Sequence, residues 1–153
     1  MSVHAVTRAT PASVNVAYDA EQSYLYVAID HRAGDPSPER PLRSWTPFGA
    51  TFDYDADGRV RGIELMLPHL ESHLGTVAPE TAKPLYVDLV LDDEYATTSE
   101  EITYDPTSKV LQIQLDRSSP DVDDVYAVSD QLSVALRDGR LQTLWLKGVD
   151  LKV

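Results

Sequence analysis

Apolar and polar residues alternate with a period of two along most of the chain, and the alternation occurs in two blocks. Residues 13–30 read SVNVAYDAEQSYLYVAID and residues 99–116 read SEEITYDPTSKVLQIQLD. They align without a gap at an offset of 86, with identities at Ser13/Ser99, Tyr18/Tyr104, Asp19/Asp105, Leu25/Leu111 and Asp30/Asp116. Each block carries alternating apolar positions on both sides of a short polar break, the pattern of a β-hairpin. Asp19 and Asp105 open that break, where an aspartate accepts hydrogen bonds from amides two residues on. A second correspondence follows in each half. Residues 51–66 (TFDYDADGRVRGIELM) resemble residues 133–147 (SVALRDGRLQTLWLK), centred on Asp57-Gly58-Arg59 and Asp138-Gly139-Arg140. Asp-Gly between alternating runs marks a tight hairpin, because glycine accepts positive φ. Phe52/Tyr54 match Val134/Leu136 when the second turn is one residue shorter.

These patterns predict a mainly β protein. Two pseudo-symmetric repeats of antiparallel strands, each of at least four strands, pack as a sandwich or partly closed barrel. Unit one spans 13–67 and unit two 99–153, both in one globular body, with a disordered tail at 1–12. Between them, 68–98 supplies one short helix at PHLESHL (68–74), a polar linker TVAPETAKP and an extra strand at 85–91. Residues 31–47, with Pro36, Pro38, Pro41 and Pro47, read as a surface loop. Val16, Leu25, Val27, Ile29, Ile63, Leu65, Ile102, Leu111, Ile113, Leu115, Leu144 and Leu146 are the expected core, together with Trp145.

The first half resembles a small bacterial domain of unknown function, family 2283. The resemblance rests on Tyr18-Asp19, on Leu25-Tyr26-Val27, and on Tyr54-Asp55-Ala56-Asp57-Gly58-Arg59-Val60-Arg61-Gly62-Ile63-Glu64. It covers roughly residues 14–67. The second half keeps Tyr104-Asp105 and Asp138-Gly139-Arg140 but has Thr143-Leu144-Trp145 in place of Gly-Ile-Glu. The resemblance implies a β-rich fold and brings no reaction or catalytic residue with it.

Composition narrows the function classes. The chain has 153 residues, no cysteine and a net charge of −12. Disulfides, thiolate metal sites and thiol nucleophiles are therefore excluded, and a reducing cytoplasm is the expected setting. No stretch of about 18 apolar residues predicts a membrane span, and the N-terminus lacks the apolar run of a secretory signal. Residues 67–101 hold eight acids against one base, so the acidic surplus is concentrated there. Phosphate backbones are repelled, which argues against nucleic acid. A solvated face that aids solubility is the preferred reading of the surplus, and a face for a basic protein partner or a cation is the alternative. A monomer and a homodimer are both compatible with the repeat.

Candidate chemistry is sparse. Asp53-x-Asp55-x-Asp57-Gly58-x5-Glu64 matches the calcium-loop spacing, with oxygen donors at loop positions 1, 3, 5 and 12. However, the preceding WTPFGATF carries Pro47 and Gly49 where an entering helix is required. Phe52, Tyr54, Val60, Ile63 and Leu65 already fit strands. An acidic hairpin with solvated carboxylates is preferred, and weak divalent-cation binding is the alternative. His69-x-Glu71-x-His73 would place two histidines on one helix face, without a third ligand. His31, Arg32, Arg43 and Trp45 flank or occupy the proline-rich loop and form a candidate ligand pocket, the basis for a small-molecule-binding protein or enzyme. No serine elbow or phosphate-cradling loop occurs, so no catalytic residue and no cofactor are expected. The leading reading is a non-enzymatic binding or protein-interaction module, possible regulatory roles included.

Overall fold

The structure is a computed structural model describing residues 3–30, 42–44, 51–55, 57–91, 101–115, 124–137 and 139–151. Twelve strands make up the described fold: β1 (Val3–Arg8), β2 (Val14–Asp19), β3 (Tyr24–Ile29), β4 (Leu42–Ser44), β5 (Thr51–Tyr54), β6 (Val60–Met66), β7 (Tyr86–Leu91), β8 (Glu101–Asp105), β9 (Val110–Gln114), β10 (Asp124–Ala127), β11 (Leu132–Arg137) and β12 (Arg140–Lys147). They form a five-stranded sheet of order β2-β3-β6-β5-β4 and a seven-stranded sheet of order β1-β7-β10-β11-β12-β9-β8. Neighbours are antiparallel except β7 and β10, which run parallel. Neither sheet closes into a barrel. Among the described residues no helix is long and apolar enough to cross a membrane.

Five strands of the larger sheet repeat the order of the smaller one: β8-β9-β12-β11-β10 correspond to β2-β3-β6-β5-β4. The correspondence extends to register. Val16 faces Val27 and Asp19 faces Tyr24, as Ile102 faces Ile113 and Asp105 faces Val110. Both hairpins turn through a residue of positive φ at the same place, Ser23 (54°) and Lys109 (58°). Asp19 Oδ1 accepts from the Glu21 and Gln22 amides, and Asp105 Oδ1 accepts from those of Thr107 and Ser108. The second hairpins correspond too, each with a β-bulge at the same step. Arg61 is the extra residue between the Tyr54–Val60 and Asp53–Gly62 pairs. Gln142 is the extra residue between Leu136–Leu141 and Ala135–Thr143. The one-residue-shorter second turn aligns these bulges, and Gly58 and Gly139 supply φ of 82° and 73°.

Alternation places one face of each sheet inward. Leu25, Val27, Ile29, Phe52, Ile63 and Leu65 from one sheet join Leu111, Ile113, Val134, Leu144 and Leu146 from the other in a single core. All of the expected core aliphatics lie in it, Val16 and Ile102 at its margin. Trp145 is buried but not between the sheets. It projects from the opposite face of β12 and packs with Val77 and Ala135.

Several expectations need correction. Residues 3–8, expected within a disordered tail, form β1, because β7 offers an open edge that pairs with all six residues. The helix expected over 68–74 is a single 3-10 turn, Leu70–His73. Its preceding residue, His69, is left-handed (φ 55°) and gives no side-chain cap, so no longer helix is nucleated. Within the proline-rich stretch, Leu42–Ser44 pairs with β5, so each unit has five strands.

A ladder of ion pairs joins the sheets beside β1. Asp88, 5% exposed, accepts from Arg8 and Arg59, both at 2.7 Å. Arg8 continues to Asp30 at 2.8 Å, Asp30 to Arg61 at 2.8 Å, and Arg61 to Asp55 at 3.1 Å. Burial alone would raise the Asp30 carboxyl. The Arg8 hydrogen bond, the Ser13 amide and Arg61 outweigh it and hold that group below its ordinary 3.8. For Asp55 burial is likewise outweighed, by the Arg59 and Asp57 amides and Arg61. One acidic residue of the first unit, Asp30, and one of the middle segment, Asp88, thus join the sheets, while Asp55 ties Arg61 within its own hairpin.

Candidate functional site

The two sheets differ most on their outer faces. In the five-stranded sheet, turning Leu25 and Val27 inward turns Tyr24 and Tyr26 outward, and turning Phe52, Ile63 and Leu65 inward turns Asp53, Gly62 and Glu64 outward. Register brings them together: Tyr26 faces Glu64, Tyr24 faces Met66, and Asp53 faces Gly62. The Tyr24 hydroxyl donates to Glu64 Oε1 at 2.6 Å and the Tyr26 hydroxyl to Asp53 Oδ2 at 3.3 Å. Gly62 makes the second contact possible. A Cβ there would lie 2.4 Å from the Tyr26 hydroxyl and 2.9 Å from Asp53 Oδ2, so any other residue displaces both side chains.

Burial first, then the hydrogen bond and negative charge of Glu64, pushes the Tyr24 phenol far above its usual range. Tyr26 is raised similarly, by burial first and then by Asp53. Both phenols therefore remain protonated donors at neutral pH, unsuited to act as nucleophile or base. The cluster offers carboxylate charge and oriented hydroxyls.

On the seven-stranded sheet the same positions carry different residues. Val110, Gln112, Ala135, Thr143 and Trp145 stand where the other unit has Tyr24, Tyr26, Asp53, Gly62 and Glu64. This face is covered by residues 75–83. The Gly75 amide donates to Tyr104 O at 3.0 Å and the Lys83 amide to Val125 O at 2.9 Å. The Val77 amide donates to Asp105 Oδ2 at 3.1 Å. Val77 then packs on Trp145, whose indole N–H donates to Gln112 Oε1 at 3.1 Å. Lys147 pairs with Glu80, and Lys83 with Asp124.

The residues singled out from the sequence divide. Asp53 and Glu64 belong to the outer-face cluster. Asp55 instead closes the hairpin: its Oδ1 accepts from the Asp57 and Arg59 amides and its Oδ2 from Arg61. Asp57 is exposed at the turn. The calcium-type spacing thus does not gather its four carboxylates, because the bulge and turn separate them. Among the described residues no group of three or more histidine or acidic side chains could hold a metal ion. His69 and Glu71 are exposed, 3.9 Å apart, and a 3-10 turn does not align His69 with His73. Arg43 lies in β4 opposite Phe52; His31, Arg32 and Trp45 lie outside the described residues. The acids of the middle segment that are described are largely paired, Glu80 with Lys147 and Asp88 with two arginines.

Tyr24 and Tyr26 escaped the sequence reading. The signal was present in their alternation with Leu25 and Val27 and in the glycine of Gly62-Ile63-Glu64. Comparison with protein families and with curated proteins finds no match for this chain.

Proposed function

We propose that this chain is a non-enzymatic protein-interaction module that binds a basic partner through the outer face of its five-stranded sheet. The observation supporting the reading is the contrast between the two outer faces. One is centred on Trp145, carries no charge among Val110, Gln112, Ala135, Thr143 and Trp145, and is covered by residues 75–83 of the same chain. The other carries two carboxylates, Glu64 with the Tyr24 hydroxyl on it and Asp53 with the Tyr26 hydroxyl on it. The shared strand order, registers, turns and bulges support descent of the two units from one duplicated unit, with one face since made structural. The reading draws on the acidic balance of the chain, and the absence of cysteine suits a cytoplasmic setting.

The reading is tested with a fluorescein-labelled lysine-rich octapeptide and the full chain, followed by fluorescence polarisation. A carboxylate–ammonium contact near a protein surface contributes on the order of 1 kcal/mol. Glu64→Gln should therefore weaken binding about fivefold, and the loss should shrink as salt is raised. Glu71→Gln, equal in charge but exposed on the 3-10 turn, should weaken it less than about twofold. Equal effects of the two variants would show that the peptide senses only net charge, and the reading would fall.

A further inference from the structure

The way residues 74–77 settle on the seven-stranded sheet identifies what the other sheet is shaped to receive. Leu74 forms a parallel bridge with Tyr104 at the β8 edge. Gly75 donates its amide to Tyr104 O, and two residues later the Val77 amide reaches Asp105 Oδ2. The Val77 side chain then lands on Ala135 and Trp145. Three features make the position: an outward edge carbonyl, a turn aspartate whose second oxygen is available, and a landing spot on the outer face.

The β2 edge repeats all three. The Asp30 amide bonds Ser13 O, which fixes the phase of the β2–β3 ladder and turns the backbone groups of Val14, Val16 and Tyr18 outward. Tyr18 thus presents its carbonyl as Tyr104 does. Asp19 spends Oδ1 on the same pair of turn amides as Asp105, so its Oδ2 occupies the equivalent outward place. Asp105 is 8% exposed beneath Val77, whereas Asp19 is exposed. A cavity of about 430 Å³ lies beside this edge, lined by Val16, Tyr18 and Ala20 on one side and Gly148–Leu151 on the other. The edge is also easier to approach. A Cβ on Gly75 would meet Thr103 Cγ2 at 2.8 Å, and the residue equivalent to Thr103 is Ala17.

The landing spot differs in chemistry. Where Val77 meets Trp145, an incoming side chain meets Glu64 with the Tyr24 hydroxyl on it. An apolar residue there would desolvate a carboxylate without compensation, whereas a lysine or arginine would pair with it. We infer that Tyr18, Asp19 and Glu64 form a docking position for an extended segment of a partner protein. The segment donates one backbone amide to Tyr18 O and the second-next amide to Asp19, and it carries lysine or arginine at that second residue. This inference rests on the proposed interaction role and specifies its geometry.

The probe is the octapeptide of residues 72–79 with Val77→Lys, titrated into the isotopically labelled full chain and followed by amide chemical shifts. Shifts are expected at Tyr18–Gln22 and around Tyr24 and Glu64, with millimolar affinity. Asp19→Asn keeps an oxygen for the turn but replaces the outward acceptor with a donor, and should weaken binding at least about fivefold. The same peptide with Val77→Glu should leave these shifts unchanged. Unchanged affinity in Asp19→Asn, with Glu64→Gln still weakening it, would overturn the edge docking while leaving the acidic-face reading intact. No effect of either variant, equal shifts from the lysine and glutamate peptides, or no shift up to about 5 mM would overturn the inference. So would a peptide-free destabilisation by Asp19→Asn with no peptide bound, which would show the chain filling the position itself.

Discussion

Replacing Asp88 with alanine is expected to destabilise the protein by about 3 kcal/mol. In a chain of this size that lowers the melting temperature by about 10 °C. Asp88 is 5% exposed and is the common acceptor for Arg8 and Arg59. Its removal deletes two charge-assisted hydrogen bonds made by a buried carboxylate, takes Asp88 from Arg59 and leaves Arg8 with Asp30, so that two guanidinium groups that shared one carboxylate lie close together without it. The effect should exceed that of Lys109→Ala, whose pair with Asp150 is about half exposed on both sides. Circular dichroism melts at neutral pH check the comparison. Acid reaches the same seam in the unmodified protein. Asp30 and Asp55 have folded values below their ordinary 3.8, so their contribution is complete above that value and is lost as pH falls through the lowered ones. A melting temperature that is flat from neutrality to about pH 5 and falls below about pH 4 is the expected profile. An Asp88→Ala loss under about 1 kcal/mol would show that the strands, and not the ladder, hold the sheets together.

The second large effect is an asymmetry between paired tyrosines. Tyr104→Phe should cost about 2 kcal/mol, whereas Tyr18→Phe should cost less than about 0.5 kcal/mol. Tyr104 is 1% exposed. Its hydroxyl donates to Val149 O at 2.6 Å and accepts from the Leu151 amide at 3.3 Å. Loss of the hydroxyl leaves two buried backbone groups unsatisfied where 149–151 crosses the core. Tyr18 occupies the same register position of β2 but is only partly buried at the core margin, beside the cavity at the β2 edge. Urea unfolding of the two variants measures the difference. Equal losses would contradict the assignment of a structural role to one copy and an open edge to the other.

Much of this architecture was legible in residue spacing. The offset of 86 between Tyr18-Asp19 and Tyr104-Asp105 became two hairpins of equal register, because alternation and turn chemistry are local. The shorter second turn became two aligned bulges for the same reason. The strands β1 and β4 were not legible. Each pairs at a sheet edge with a partner distant in the chain or flanked by prolines, and short edge strands carry little pattern of their own. Trp145 read as core because burial was predictable but the covering element was not: TVAPETAKP has no periodicity, and only the edge at Tyr104 and Asp105 gives it a path. The calcium-type spacing does not translate into one cluster for a related reason. Spacing along the chain says nothing about a bulge, and the bulge at Asp53/Tyr54 with the Arg61 contact sends Asp55 into the turn. What the spacing did contain was a different pair, Asp53 and Glu64, brought to one face by β5 and β6 and completed by Tyr26 and Tyr24.

A basic partner bound to the five-stranded sheet leaves the outer face of the seven-stranded sheet untouched. Hydrogen–deuterium exchange of the full chain, with and without a saturating lysine-rich octapeptide, measures this directly. Slowed exchange is expected in β2, β3 and β6, over residues 14–29 and 60–66, with β11 and β12 unchanged. Protection confined to residues 132–147, or to neither sheet, would contradict it.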